Sequence, residues 1–329
     1  MRLIGIMPVR NEDWCLGLTL RAALMWCDEV VVLLHHCTDR SSDIAVAVSD
    51  EAPGRVHIFR DLSDKWLEMA HRQMLLEAAR THKATHIAIV DADEILTGNL
   101  LHRIRFLIEC TPDGLVLQLP WIALPRSVDR YLTEGTFGSA SRVSMAFQDR
   151  TDSCWKARGP EKYDFHHREP FGVAGGYSPL SQEDGGLMHL QFLSERRLRA
   201  KQALYQMTEV LRWPGRMSPA ELAAMYGRAV YETDPLGFAN SQVPTSWWDL
   251  DYPTGKFVTY DFIVTTSGTV APFPASPDTK RTRADLMIHL IDPPYTDTEP
   301  WQEIEVRRLI EEHGRKKFAG LDLFGVDKL

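Results

Sequence analysis

The stretch HIAIVDADEILTGN, residues 86–99, decides how the first half of the chain is read. Residues 86–90 form a short, continuously apolar run, the pattern of a strand buried on both faces. Asp91, Asp93 and Glu94 then stand within four positions of one another. Carboxylates this close repel, and burying one without a partner is costly or forces it to take up a proton. Such a turn is either solvated, the plain reading of an acidic loop, or built around a cation.

Working outward, the same kind of run recurs at RLIGIMPV (2–9), DEVVVLL (28–34), RVHIF (55–59) and GLVLQL (114–119). Between these lie helical patterns at 14–27, at 65–82, at 99–109, and from Thr38-Asp39 through 41–48. In the first, Leu16, Leu20, Ala23, Leu24 and Cys27 share one face. Strand alternating with helix predicts an α/β fold with a mostly parallel central sheet flanked by helices, Rossmann-like in plan. Ligands of such sheets bind beyond the carboxyl ends of the strands. The acids after the fourth strand therefore fall at the binding edge.

At 329 residues the chain can bury a large core. Its formal net charge of −8 supplies no strong basic field for nucleic acid. The five cysteines include no C-x-x-C pair and read as free thiols of a reducing compartment. No apolar run reaches the length of a membrane span, and the start is apolar too briefly for a secretory signal. A cytoplasmic location is the expectation. No G-x-G-x-x-G follows the first strand and no G-x-x-x-x-G-K-[ST] occurs, which argues against a dinucleotide-binding site and excludes a P-loop.

The loop after the first strand is PVRNED, residues 8–13. Pro8 is expected to end the strand. Asn11, Glu12 and Asp13 serve either as an N-cap with first-turn acids or as polar ligand groups. Two carboxylates spaced by one residue can both approach a hard divalent ion. Such an ion offsets the charge of a departing diphosphate.

Taken in order, PVRNE, DEVVVLLHHCTDRSSDI, WLEMAHRQMLLEAA and HIAIVDADEILT resemble the family-2 glycosyltransferases and their relatives of the glycosyltransferase-A fold. Typical members carry P-x-x-N-E, D-x-G-S-T-D-x-[ST] and D-A-D-E at these places. The resemblance covers roughly the first 110 residues, and GGLMHLQFLSERRLRAKQALYQ extends it to the strand-then-helix segment late in such domains. It implies a nucleotide-sugar donor, a hydroxyl acceptor, Mn²⁺ or Mg²⁺ as cofactor, and inversion at the anomeric carbon. By the same resemblance Pro8, Arg10, Asn11 and Glu12 line the donor pocket and Arg72 reaches base or phosphates. Asp91, Ala92 and Asp93 form the donor and metal turn, and His189 completes the metal shell. Apart from the resemblance, Lys201 lies on a helix at 194–211 whose charges read mostly as a solvated face, and it is a further candidate to reach a phosphate. The family's acidic, base-reading position after strand two is here Leu34, His35 and His36, so His35 takes that place and UDP is the default nucleotide only.

Displacement also needs a base for the acceptor hydroxyl. Glu169, in HHREP, resembles the family's His-Glu placement with Arg168 intervening. Asp184, in QEDGG, resembles its Glu-Asp motif without the usual helix. Both also read as ordinary solvated loop carboxylates. His166 and His167 are adjacent and on a strand would face opposite ways. Residues 1–213 are expected to form the catalytic domain. Residues 214–329 are expected to form an α+β extension on the acceptor side or for assembly, with Trp247 and Trp248 either stacking on a ligand or filling a core. A haloacid-dehalogenase-type phosphatase would place its Asp-x-Asp after the first strand. A sugar-nucleotide nucleotidyltransferase would carry a Gly-rich basic loop there. A non-catalytic nucleotide-sugar-binding module is the remaining alternative.

Overall fold

The computed structural model describes residues 1–63, 65–128, 130–156, 168–233, 237–248, 262–264, 270–272 and 299–328. Strands β1 (Leu3–Val9) and β2 (Glu29–His35) are buried along their whole length, which is why they read as unbroken apolar runs. Their side chains alternate between two cores. Leu3, Met7, Val9, Val30, Val32 and Leu34 face one core, which also takes Leu16, Leu20 and Leu24 around helix α1 (Asp13–Ala23) and Ile44, Ala45 and Val48 of α2 (Ser41–Glu51). Ile4, Ile6, Val31 and Leu33 face the other, with Met69, Leu75, Leu76 and Ala79 of α3 (Glu68–Thr81).

Strand β3 (Val56–Asp61) and β4 (His86–Ile89) complete a parallel set in the order β3-β2-β1-β4. Beyond β4 the sheet turns antiparallel. β8 (Arg142–Gln148) pairs with β4 and with β6 (Leu115–Ala123), and the path continues through β10 (Leu187–His189) to β5 (Glu94–Leu96). With β9 (Gly175–Tyr177) parallel to β6, the described residues form one nine-stranded sheet. The α/β expectation is met.

Several local expectations differ. Pro8 lies inside β1, opposite Leu33, because the strand runs on to Val9. β5 carries no periodicity that three residues could display, and the helix expected over 99–109 is α only from Ile104 to Glu109, our α4. Cys110 is exposed, while Cys15 and Cys27 are buried, and all five thiols are free.

The chain forms two compact units that interleave instead of dividing at residue 213. The first comprises Met1–Trp121, Arg142–Met188 and Pro244–Leu286. The second comprises Ile122–Ser141, His189–Val243 and Met287–Leu329. The chain leaves the first unit after Trp121, at the end of β6, and returns at Arg142, the start of β8. In the first unit, Trp247 on the short helix α7 (Thr245–Trp248) is 1 % exposed, so its ring is a core side chain. A short strand at 262–264 pairs antiparallel with 270–272.

The second unit packs α5 (Glu195–Arg212), α6 (Pro219–Tyr231) and α8 (Trp301–His313) around Leu198, Met207, Val230 and Val306. The Ser218–Glu221 capping box opens α6 as its sequence requires, and Gly314 at φ 77° ends α8. Arg196 holds the fully buried Glu303 with two 2.7 Å hydrogen bonds. A two-strand ribbon, β7 (Arg130–Leu132) with β11 (Asn240–Gln242), belongs to this unit. No described helix is long and apolar enough to cross a membrane.

Candidate functional site

The acidic turn links β4 to β5 at the carboxyl end of the parallel strands. Helix α1 clamps it. The Thr19 hydroxyl donates to the Ala92 carbonyl at 2.6 Å, and the Cys15 thiol donates to the same oxygen at 3.3 Å. Ala92 is therefore buried structure within the turn, and Asp93 and Glu94 are buried with it at 5 % and 1 % exposure. The turn closes on itself through Glu94 N–H to the Asp91 carbonyl, 3.2 Å.

Arginines occupy part of the place that the spacing suggests for a cation. Arg168 donates from one nitrogen to Asp91 Oδ2 and Glu94 Oε1, both at 2.7 Å. Its other nitrogens donate to the Ser144 and Ile89 carbonyls at 3.1 and 3.0 Å. Arg72, on α3, donates to Asp91 Oδ1 at 3.2 Å and to Glu68 Oε1 at 2.8 Å. Trp121 Nε1 donates to Glu94 Oε1 at 3.0 Å. Burial alone would weaken each guanidinium's hold on its proton. Asp91 with Glu94 around Arg168, and Asp91 with Glu68 around Arg72, more than reverse this, so both stay charged.

Asp91, Asp93, Glu94 and Glu68 gather here with Arg72 and Arg168. The carboxylates bring hard oxygen donors together, the atoms a divalent ion takes. Asp91 has a guanidinium on each oxygen. Asp93 is buried beside it.

Asn11 and Glu12 do local work. Asn11 sits at φ 55° and is buried, and its Oδ1 accepts from the Thr38 and Asp39 backbone N–H groups at 2.7 and 3.3 Å. It thereby ties the loop after β1 to the loop after β2. Glu12 is the N-cap residue of α1, and its Oε2 accepts from Trp14 Nε1 at 2.6 Å. Arg10 is half-buried and near enough to His35 to disfavour the protonated imidazole. His35 is fully buried, its ring 4.5 Å from that of His71.

The two base candidates differ. Glu169 Oε1 accepts from Ser144 Oγ at 2.7 Å and Gln118 Nε2 at 3.0 Å, next in sequence to the arginine on Asp91. Asp184 is exposed and closes a capping box on Ser181. The Ser181 backbone N–H, then its hydroxyl, hold the Asp184 carboxyl below its usual range. A base needs affinity for the proton it takes, so this disfavours Asp184.

His189 and Lys201 belong to the second unit. The His189 ring stands edge-on to Phe192 at 5.2 Å, with its Nδ1 3.2 Å from Gln191 Nε2. Lys201 is half-buried on α5. His166 and His167 lie outside the described residues.

Sequence reasoning missed Arg168, Glu68 and Trp121 as parts of this site. Arg168 stands 77 positions from Asp91, and in the sequence it only interrupts a His-Glu spacing.

No protein-family model matches the chain, and no curated protein matches it. Solved structures with detectable likeness include glucosyl-3-phosphoglycerate synthase from Mycobacterium tuberculosis in complex with Mn²⁺, UDP and phosphoglyceric acid. It is 15 % identical with a TM-score of 0.28, over 37 % of this chain and 42 % of that one. The likeness thus spans less than half of that enzyme's length. S. aureus TarS 1-349 is 12 % identical with a TM-score of 0.39, over 71 % of each chain. The mannosyltransferase PcManGT from Pyrobaculum calidifontis, in complex with GDP-Man and Mn²⁺, is 14 % identical with a TM-score of 0.37, over 70 % of this chain and 72 % of that one.

Proposed function

We propose that this chain is a metal-dependent glycosyltransferase that moves a sugar from a nucleotide-sugar donor to a hydroxyl acceptor with inversion. The observation that carries the reading is the buried acidic turn at the carboxyl edge of the parallel strands, where Asp93 and Glu94 are buried beside Asp91. The motif order along the first 110 residues supports the same reading.

Bound Mn²⁺ or Mg²⁺ would supply positive charge for the leaving diphosphate. Asp93 would hold the ion. Arg72 and Arg168 fix Asp91 so that its carboxylate orients donor ribose or phosphate without repelling Asp93. Asn11 keeps the two loops of the donor pocket in register. Glu169 is the base, held by Ser144 and Gln118, and takes the acceptor hydroxyl's proton as the oxygen attacks the anomeric carbon. The base of the donor nucleotide is uracil by default.

Donor binding measured by calorimetry across UDP-, GDP- and dTDP-sugars, with Mn²⁺ and with chelator, tests the reading. Binding of one nucleotide class should tighten with Mn²⁺, and Asp93→Asn should abolish that gain. Glu169→Gln should lower transfer by about 10²-fold or more with donor binding intact. Equal binding with and without metal in the unmodified chain would remove the assignment.

A further inference from the structure

We propose that His35, Asp61 and His71 form a binding site for a zinc-class transition-metal ion, separate from the acidic turn. The inference does not depend on glycosyl transfer, since it uses neither Asp91 nor Asp93.

The fold brings the three together at the same edge of the sheet. His35 ends β2 and Asp61 ends β3, and the two are paired across the parallel strands. His71 comes from α3, which packs over this side of the sheet. One ligand atom from each residue lies within 4.8 Å of the others. Two imidazoles and a carboxylate are the donor set of zinc and its neighbours in the first transition row, whereas magnesium and calcium prefer oxygen alone. Three protein ligands leave a position for water or a ligand atom.

The hydrogen-bond accounting points to an occupant. His35 is fully buried, and neither of its ring nitrogens has a hydrogen-bond partner among the described residues. His71 is 2 % exposed. Its Nε2 lies 3.1 Å from Asp61 Oδ2, and its Nδ1 has no partner among the described residues. Buried polar atoms are nearly always paired, and a cluster of orphans calls for an ion or water. Trp66 stands edge-on to both rings, at 5.2 Å from His35 and 4.9 Å from His71, and fixes their planes. Ser63 orients the Asp61 carboxylate through its backbone N–H at 2.9 Å and its hydroxyl at 3.0 Å, the outer support a ligating carboxylate requires.

Nearby charge is mixed. Asp61 and Glu68 favour a cation, and Arg10 and His36 oppose one. Binding by a neutral nitrogen lone pair tolerates that balance better than a purely ionic oxygen site would.

A second cluster, Glu29 with His57 and His82, has converging ligand atoms but differs in one respect. Its Glu29 Oε2 is 2.8 Å from His57 Nε2 and 3.5 Å from His82 Nδ1, and Arg2 takes the other oxygen. Its groups satisfy one another, so it serves as the control.

The test uses the untagged full chain, stripped with chelator and titrated with Co²⁺ and then Zn²⁺, with visible spectra and metal analysis as readouts. One tight equivalent should bind with nitrogen and oxygen ligation, distinct from any weaker, oxygen-only uptake at the acidic turn. His35→Phe, His71→Gln and Asp61→Asn should each weaken binding by at least about 10-fold. Asp93→Asn and the double variant His57→Gln/His82→Gln should leave it unchanged. X-ray absorption of the zinc-loaded unmodified chain should show two imidazoles and no sulfur, a readout that survives any folding defect of the variants. No uptake, uptake lost in Asp93→Asn or in the control variant, or sulfur bound to zinc would overturn the proposal. So would nucleotide binding that depends on His35 in a chain that takes up no metal.

Discussion

Removing Arg168 tests the electrostatics of the acidic turn directly. Its side chain is 13 % exposed, and the Glu94 side chain it holds is fully buried. Arg168→Met keeps most of the aliphatic volume and removes four donor contacts, two to carboxylates and two to the Ser144 and Ile89 carbonyls. Asp91 keeps Arg72, and Glu94 keeps the Trp121 indole N–H and the Asp91 backbone N–H but loses Arg168. Removing one partner of a buried ion pair costs about 3–5 kcal/mol. Urea unfolding at pH 7, followed by tryptophan fluorescence, should show a loss of that size. Adding Glu94→Gln to Arg168→Met should recover at least half, because the stranded charge goes with it.

The pH dependence has a definite sign. Without Arg168, burial favours neutral Glu94, so its folded pKa rises above the unfolded value of about 4.3. The folded variant then binds more protons than the unfolded chain, and its stability falls as pH rises through that raised value. The deficit against the unmodified protein should therefore shrink on acidification. A loss within about 0.5 kcal/mol at pH 7, the range of ordinary surface changes, would refute the reasoning. A deficit equal at both ends of the pH range would refute it too.

Other outcomes follow from the same structure. His35 sits at about 4 against an ordinary 6.5, so acidification protonates the unfolded chain first and stability falls between those values. The loss from this group should be about 2 kcal/mol at pH 5 relative to pH 7.5, and His35→Phe should flatten that part of a pH–stability profile in metal-free buffer. Trp247→Ala should cost about 3–5 kcal/mol in urea unfolding, since the ring is core. A ligand-stacking Trp247 would instead change binding and spare stability. Ser218→Ala should cost about 1 kcal/mol by opening the capping box of α6, measured by the same unfolding assay.

The parallel half of the sheet was legible in the sequence because burial on both faces leaves unbroken apolar runs, and β1 and β2 are such runs. The acidic turn was legible for a similar reason, since polar groups following a buried strand fall at the sheet's carboxyl edge. Asn11 and Glu12 were visible as a helix start, although the link from Asn11 to Thr38 was not. Three-residue β5 and β10 were invisible, because a pattern needs more residues than they have.

What the amino-acid order determined by itself was where each segment is buried, for that depends on neighbours within a turn or two of helix or strand. Only the tertiary structure decided which side chains meet. Arg168 reaches Asp91 across 77 positions because β8 runs antiparallel beside β4, and His35 faces Asp61 because β2 and β3 share a register. Local periodicity records a segment's burial, whereas the partner of a buried charge is set by strand order, which short-range pattern does not carry.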